Sequence, residues 1–252
     1  MRIALHADGP VGRRAGRILL AERDLVALGR YGDTEGAIAD RRTTAIRELA
    51  GYLVLATDAP DGLSFARIAV ADGLHAVLSA DVVIPEGLSA AARLAGVTVL
   101  AGADLGPGIA DTLAAHEAAR TTRTVHVRVA WTEQGTPLRR GIAVPFPDPV
   151  GPRWGRVVSQ EGAIERVVVP LQGPWAGALA TVSGRMGGRR RERTVGVADD
   201  HDHLRAIALA AGTLAVAEGS YPPGPCRPAD AAADYLSAAL RVGMDVASFT
   251  PS

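Results

Sequence analysis

Glycines near the start of the chain have the spacing of a turn that binds a dinucleotide. A short apolar run leads into Ala7, Gly9, Gly12 and Gly16, which read A-x-G-x-x-G-x-x-x-G. Such a turn needs glycines because the backbone must bend sharply and come close to a pyrophosphate. Residues 11–21 have helical spacing, so the free amides at the start of that helix would point at the phosphates. The residues predicted here to contact a dinucleotide are Ala7, Gly9, Pro10, Val11 and Gly12.

Two residues of this turn depart from an optimised phosphate site. Ala7 replaces the first glycine, at a position that only has to permit a tight turn. Asp8 puts a carboxylate in the loop, which is unfavourable near a pyrophosphate unless it points away or pairs with Arg13 or Arg14. The alternative interpretation is an ordinary turn between a strand and a helix that holds no ligand.

The end of the second predicted strand indicates which dinucleotide would bind. A carboxylate there accepts hydrogen bonds from the ribose of NAD, whereas an arginine favours the 2′-phosphate of NADP. This strand ends in Gly29, Arg30 and Tyr31, and the first carboxylate after it is Asp33. Arg30 offers a bidentate fork to a phosphate, and Tyr31 could stack near the adenine. We therefore predict NADP, with NAD as the alternative; the competing interpretation of Arg30 is a surface residue in an arginine-rich chain.

Polar and glycine-rich loops follow the next three predicted strands, where they would lie along the same ligand. The loop after the third strand is expected beside the glycine turn, over the sugar and phosphate. Glycines after the fifth strand would let a flat nicotinamide lie against the backbone. A glycine-rich helix start without a ligand is the alternative. The residues predicted to contact the cofactor in these loops are Thr57, Asp58, Ala59, Ser79, Gly106 and Gly108.

Candidates for acid–base or metal chemistry are few. His116 lies on the helix after the glycine loop and is the candidate catalytic residue, although it could equally be a polar helix residue. Residues 199–203 contain ligand types for a divalent metal, but an acidic cap on the following helix explains them without one. Cys226 is the only cysteine, so the chain has neither an internal disulfide framework nor a multi-cysteine metal site. We predict no metal.

Strand and helix patterns alternate over the first 120 residues. The predicted strands are residues 3–5, 25–28, 52–56, 76–79 and 97–101, and the predicted helices are residues 11–21, 42–50, 62–71, 87–94 and 108–119. Residues 31–40 are predicted as a loop. Strands that alternate with helices indicate a parallel sheet with helices on both faces. The almost wholly apolar strands agree, because both faces of such a sheet are covered.

The pattern changes after residue 121. Further strands are predicted over residues 125–131, 140–144, 155–158, 165–169, 178–184 and 193–197, and two helices over residues 202–218 and 228–242. Residues 187–191 form a predicted turn, and residues 220–228 a rigid loop. The fold class is therefore α/β: an N-terminal Rossmann-like parallel sheet in residues 1–120, and an α+β domain with a mainly antiparallel sheet in residues 121–252.

Composition narrows the range of partners. The 252 residues carry 27 basic and 27 acidic side chains, and this zero net charge gives no electrostatic reason to expect nucleic acid or acidic lipid. No run of about 18 apolar residues occurs, and no signal segment stands at the N-terminus, so we expect a cytoplasmic protein without a membrane partner. A second-domain sheet with one uncovered apolar face would need a partner, which predicts a homodimer through that sheet.

The turn at residues 9–14, the strand at 52–57, the segment at 71–79 and the loop at 106–109 together resemble the saccharopine dehydrogenase-like group. They are more distantly similar to homoserine dehydrogenase and dihydrodipicolinate reductase. The resemblance covers about the first 120 residues, and it implies a nicotinamide cofactor over Gly9, Gly12, Thr57 and residues 106–108. It also implies a second domain that carries substrate and a dimer interface, but it assigns no catalytic residue.

Three functions remain open at this point. The first is an NAD(P)-dependent oxidoreductase, a dehydrogenase or reductase of a small amino-acid-like, carbonyl or imine substrate. The second is a non-catalytic NAD(P)-binding or dimeric scaffold protein that has lost turnover, which the lack of an identifiable acid or base favours. The third is an assembly subunit without nucleotide affinity.

Overall fold

The computed structural model describes residues 1–7, 9–32, 40–135 and 141–249, and arranges them around two sheets. Three sequence expectations lie outside the described residues. They are the carboxylate of Asp8 in the glycine turn, the loop over residues 33–39 with Asp33, and the start of the strand predicted from residue 140.

The first sheet is parallel throughout, as predicted. Its strands are β1 (Arg2–His6), β2 (Ala27–Tyr31), β3 (Thr43–Ile46), β4 (Val54–Thr57), β5 (His75–Leu78), β6 (Thr98–Ala101) and β13 (Gly224–Cys226). They lie in the order β13-β6-β5-β4-β1-β2-β3. The central strands are buried on both faces, which explains their apolar sequences. The carboxyl ends of these strands therefore form one edge, on which the predicted loops meet.

One predicted helix of this region is wrong. Residues 42–50 contain the edge strand β3, which pairs with β2 through Thr43, Thr44 and Ile46. Three β-branched residues in a run of four favour a strand once a neighbouring strand is available, and helical spacing in the sequence did not outweigh that. The second strand also begins later than predicted, so Arg30 and Tyr31 lie inside β2 rather than after it.

Helices cover both faces of the first sheet and one face of the second. They are α1 (Pro10–Ala21), α2 (Gly62–Ala71), α3 (Glu86–Ala95), α4 (Ala110–Ala119), α5 (His201–Ala217) and α6 (Ala232–Arg241), with short helical turns at Leu105–Ile109 and Pro228–Ala231. Helices α1 and α5 pack on one face, around Leu5 and Val77, and α2 and α3 pack on the other, around Leu55 and Val99. Among the described residues, no helix is long and apolar enough to cross a membrane.

Two elements from beyond residue 121 return to the first sheet. Strand β13 adds to the edge of the sheet next to β6, inside the segment predicted as a rigid loop. Helix α5 packs beside α1, and an ion pair between Arg14 and Asp200 ties the beginnings of these two helices together. The division of the chain at residues 120 and 121 stays a prediction.

The second sheet is mixed but mostly antiparallel. Its strands are β7 (Arg123–Glu133), β8 (Ile142–Pro145), β9 (Pro152–Glu161), β10 (Ile164–Pro170), β11 (Trp175–Met186), β12 (Arg189–Asp200) and β14 (Ala247–Phe249). Their order is β14-β12-β11-β7-β10-β9-β8, and β7 with β10 is the parallel pair. The turn predicted over residues 187–191 is the β11–β12 hairpin, but residues 189–191 already belong to β12.

The outer face of the second sheet differs from the uncovered apolar surface that the sequence suggested. Phe146 and Val150 pack over its apolar centre, formed by Ala130, Val167 and Leu179. Polar side chains elsewhere on this face bond to one another, in the pairs Arg128–Glu165, Thr181–Thr194 and Ser183–Glu192. The opposite face carries the valines that pack against α4.

A close contact joins the two sheets. Trp131 of β7 is buried against the backbone of Gly106, which follows β6. A Cβ atom on Gly106 would lie 2.2 Å from the indole ring. Glycine at this position is therefore explained by packing, because the backbone of the loop must reach the face of the ring.

We expect Gly106→Ala to lower the free energy of unfolding by about 2 kcal/mol or more, because the added methyl group overlaps the indole. Chemical denaturation measures the change. Trp131→Leu in the same chain should recover part of the loss by making room. Gly87→Ala is the matched control, since nothing lies within 4 Å of a Cβ there; equal stability of Gly106→Ala and Gly87→Ala would contradict the packing described.

Candidate cofactor and substrate site

The glycine turn stands at the beginning of α1, as predicted. Gly9 is the N-cap residue and Pro10 occupies the first turn, where its missing N–H costs nothing. A Cβ on Gly12 would lie 2.6 Å from the Cβ of Ala7. A larger residue at position 12 therefore disturbs the turn with or without a ligand.

The loop after β4 lies directly beside this turn, because β4 and β1 are neighbouring parallel strands. The backbone N–H of Gly12 donates a hydrogen bond of 2.8 Å to Oδ2 of Asp58. The fully buried Thr57 accepts a hydrogen bond of 3.0 Å at Oγ1 from the N–H of Ala59 and so shapes the loop. The sequence placed these residues correctly next to the turn, but a carboxylate now lies on one of the amides expected to face a phosphate.

The end of β2 holds a buried hydrogen-bond donor. Nε of Arg30 is shielded from solvent and has no hydrogen-bond partner among the described residues. Nearby, Nδ1 of His6 lies 2.9 Å from the carbonyl oxygen of Tyr31, and the His6 ring stacks on Phe65 with centroids 4.1 Å apart. An anionic group that reached this donor would satisfy it.

Two adjoining cavities open between the first and second sheets, and we name them the inner and outer cavities. The inner cavity, of about 410 Å³, is lined by Asp81, Asp104, Leu105, Gly106, Pro107, Trp131, Thr132, Glu133, Gln134, His201 and Arg205. The outer cavity, of about 400 Å³, is lined by Asp81, Pro107, Gly108, Asp111, Trp131, Ser159, Glu161, Arg166, Arg227, Pro228 and Ala229. Asp81, Pro107 and Trp131 line both, so one elongated space runs past the carboxyl ends of β5, β6 and β13. The predicted residues of the glycine turn, together with Arg30, Thr57, Asp58, Ala59 and Ser79, are not among its lining residues.

Ion pairs line the wall of the outer cavity. Arg166 of β10 lies 3.3 Å from Asp111 of α4 and 3.5 Å from Glu161 of β9. Arg227 pairs with Asp81 at the end near β5. Burial raises the pKa of the Asp111 carboxyl above its ordinary value, and the Arg166 guanidinium partly offsets that effect. The cavity can therefore receive both an anionic and a cationic group of one small molecule.

An ion pair between Arg205 and Asp104 lies in the wall of the inner cavity, and His201 also lines it. Nε of Arg205 donates to both carboxylate oxygens of Asp104, at 2.9 and 3.0 Å. Burial acts to lower the pKa of Arg205, but the hydrogen bonds and charge of Asp104, with smaller effects from Asp202 and Asp58, raise it overall. Nδ1 of His201 lies 3.1 Å from Oδ1 of Asp202, which orients the ring.

His201 is the site residue that the sequence reasoning missed. It belongs to the acidic segment that was interpreted as a helix cap, and Asp200 does cap α5 by accepting a 3.1 Å hydrogen bond from the N–H of His203. Only the packing of α5 against the first sheet brings His201 to the inner cavity. His116 is not among the lining residues of either cavity, and it lies about 140° around α4 from Asp111.

Ser79, Gly106 and Gly108 have structural roles, and the two glycines also line the cavities. Ser79 is buried, and its N–H donates to the carbonyl of Thr57. Gly106 lines the inner cavity and Gly108 the outer one, where a Cβ on Gly108 would lie 2.3 Å from the carbonyl oxygen of Gly102. Burial and Asp230 raise the pKa of the Cys226 thiol to about 11, which leaves it protonated at neutral pH.

Comparison with solved structures shows what the fold resembles. DAP dehydrogenase of C. glutamicum in complex with DAP matches with a TM-score of 0.59 at 15% identity, over 91% of this chain and 93% of that one. Amine dehydrogenase from Mycobacterium smegmatis matches at 0.59 and 11%, over 91% and 95%. Homospermidine synthase from Legionella pneumophila in complex with NAD matches at 0.62 and 8%, over 99% and 91%. No protein-family profile and no curated protein matches the chain.

These likenesses extend over both domains and establish the architecture. The chain has the two-domain α/β fold of the NAD(P)-binding Rossmann oxidoreductases, with a parallel sheet followed by a mostly antiparallel one. The identities are low, so the likeness concerns the fold.

Proposed function

We propose that this protein is an NAD(P)-dependent oxidoreductase of a small amino-acid-like substrate. The observation that carries the proposal is the elongated space at the carboxyl ends of β5, β6 and β13, with ion pairs in the wall of its outer part. Two similar structures, a DAP dehydrogenase and an amine dehydrogenase, act by name on amines or amino acids. Carbonyl and imine compounds are the related substrates of the reverse reaction.

In this proposal residues 1–120 bind the cofactor, and residues 121–252 form one side of the substrate-binding site. The amides at the start of α1 and the buried donor of Arg30 would hold the phosphates, and the loop at Gly106 and Gly108 would face the nicotinamide. When bound, the nicotinamide supplies hydride transfer. NADP is favoured over NAD because Arg30, and no carboxylate, stands at the end of β2.

The charges of the outer cavity suggest how an amino acid would be oriented. Arg166 and Arg227 can each bind a carboxylate, while Asp111 and Asp81 can each accept from an ammonium group. A recess of about 220 Å³ continues from Asp111 and Arg166 beneath α4, and it is lined by small and apolar side chains. An apolar substrate side chain fits that recess.

Proton transfer is assigned to His201 in place of the earlier candidate His116. His201 lines the inner cavity, and its contact with Asp202 fixes the orientation of the ring. An imine substrate needs little further acid–base help, so one positioned histidine is sufficient for the proposed reaction.

The cofactor assignment predicts that Arg30→Ala weakens NADPH binding about tenfold, because a charge-assisted hydrogen bond to the 2′-phosphate is lost. NADH, which lacks that phosphate, should bind almost as before. Titration of nicotinamide fluorescence measures both affinities, and Arg67→Ala on the exposed side of α2 is the control. Equal weakening of NADH and NADPH would remove Arg30 from this role.

The activity itself is tested by reduction of NADP⁺ with a panel of amino acids and simple amines, followed at 340 nm. We expect turnover of an amino acid with an apolar side chain, and Arg166→Met should raise its KM at least about tenfold by removing a charged carboxylate ligand. Arg190→Met changes the charge equally on the exposed hairpin and should leave KM unchanged. NADPH binding without turnover of any panel member would favour the non-catalytic alternative.

We also propose that the protein is a cytoplasmic homodimer formed through the outer face of the second sheet. Polar side chains on that face bond to one another within the chain, so burying them against a second copy leaves none unpaired. A single cysteine suits a reducing compartment. Sedimentation equilibrium should give twice the mass of 26.0 kDa, and Thr181→Arg should return the protein to monomers; a monomeric parent protein would contradict the dimer.

A further inference from the structure

The carboxylate of Asp58 lies in the space that the two glycines of the turn keep open. Its Oδ2 accepts the 2.8 Å hydrogen bond from the N–H of Gly12. A Cβ on Gly12 would lie 2.8 Å from Oδ1 of Asp58, and a Cβ on Gly9 would lie 3.4 Å from Oδ2. The side chain is thus directly over the beginning of α1.

This position is the one that a diphosphate oxygen would require. The start of a helix attracts anions because its first amides lack partners within the helix and because its dipole is positive there. Helix α1 has neither an acidic residue in its first turn nor a side-chain cap from Gly9. Asp58, which comes from the loop after β4, supplies the missing anionic group from another element.

We propose that Asp58 is a displaceable internal cap of the cofactor site. Its carboxylate accepts the hydrogen bond from the N–H of Gly12, and a dinucleotide binds there only when the side chain turns away. The inference rests on the proposed cofactor site. Asp58 weakens binding of the dinucleotide in two ways. The carboxylate must give up its hydrogen bond, and its negative charge stays close to a doubly charged diphosphate. Asp58 therefore sets the affinity for the diphosphate part of the ligand.

The loop does not need this contact to keep its shape. The hydrogen bond from the N–H of Ala59 to Oγ1 of Thr57 lies within the loop itself and does not involve Asp58.

The test compares Asp58→Asn with the parent protein for binding of NADPH and of ADP-ribose, by fluorescence and by calorimetry. Asparagine keeps an acceptor for the Gly12 amide but removes the charge. We expect both ligands to bind about tenfold tighter or more, and the shared gain locates the effect at the diphosphate, because ADP-ribose has no nicotinamide. Asp58→Ser should act in the same direction, which guards against a single poorly folded variant.

Asp61→Asn is the matched control. Asp61 caps α2 through the N–H of Ser64 at the exposed end of the same loop, so its replacement changes the net charge equally without touching the glycine turn. Its affinity for both ligands should equal that of the parent.

The outcomes separate this proposal from the proposed function. A parent protein that binds NADPH, with tighter binding in Asp58→Asn, supports both. A parent that binds, with equal or weaker binding in both Asp58 variants, overturns the cap and leaves the cofactor assignment. A parent protein that does not bind NADPH, with binding in Asp58→Asn, supports the cap and indicates that Asp58 prevents the natural protein from binding the cofactor. Absence of binding in every variant overturns both.

Discussion

The contact between Trp131 and the backbone of Gly106 is the constraint on which the candidate site depends. It joins the second sheet to the loop after β6, and the indole forms a wall of both cavities. Because the ring packs against a residue without a side chain, the two sheets can approach closely at this point, with a cavity on either side. The charged residues of both domains then face one space.

Two parts of the structure carry charges that bear on ligand binding. The outer cavity carries its acids and arginines as ion pairs in its wall, an arrangement that suits a small molecule with both charges. The glycine turn has its own acid, Asp58, where the fold would otherwise present free amides. The same architecture thus combines a cavity wall with charges of both signs and a glycine turn that already holds a carboxylate.

The sequence errors have a common physical origin, which is that neighbours distant in the chain decided the outcome. Residues 43–46 form a strand because β2 offers an edge, although their spacing also suits a helix. The candidate histidine changed from His116 to His201 because α5 returns to the first sheet after the second has been completed. The outer face of the second sheet was expected to be apolar and uncovered, yet Phe146 and Val150 cover its centre.

The sequence by itself determined the parallel sheet, the glycine turn at the start of α1, the order of the two sheets and the place of Thr57, Asp58 and Ala59 beside that turn. These follow from local signals, namely glycine spacing and apolar periodicity, together with the rule that parallel strands end at one edge. Only the tertiary structure decided which way Asp58 points, which histidine lines a cavity, and that Trp131 packs against the backbone of Gly106. Side-chain contacts of this kind join residues far apart in the chain, and no local pattern encodes them.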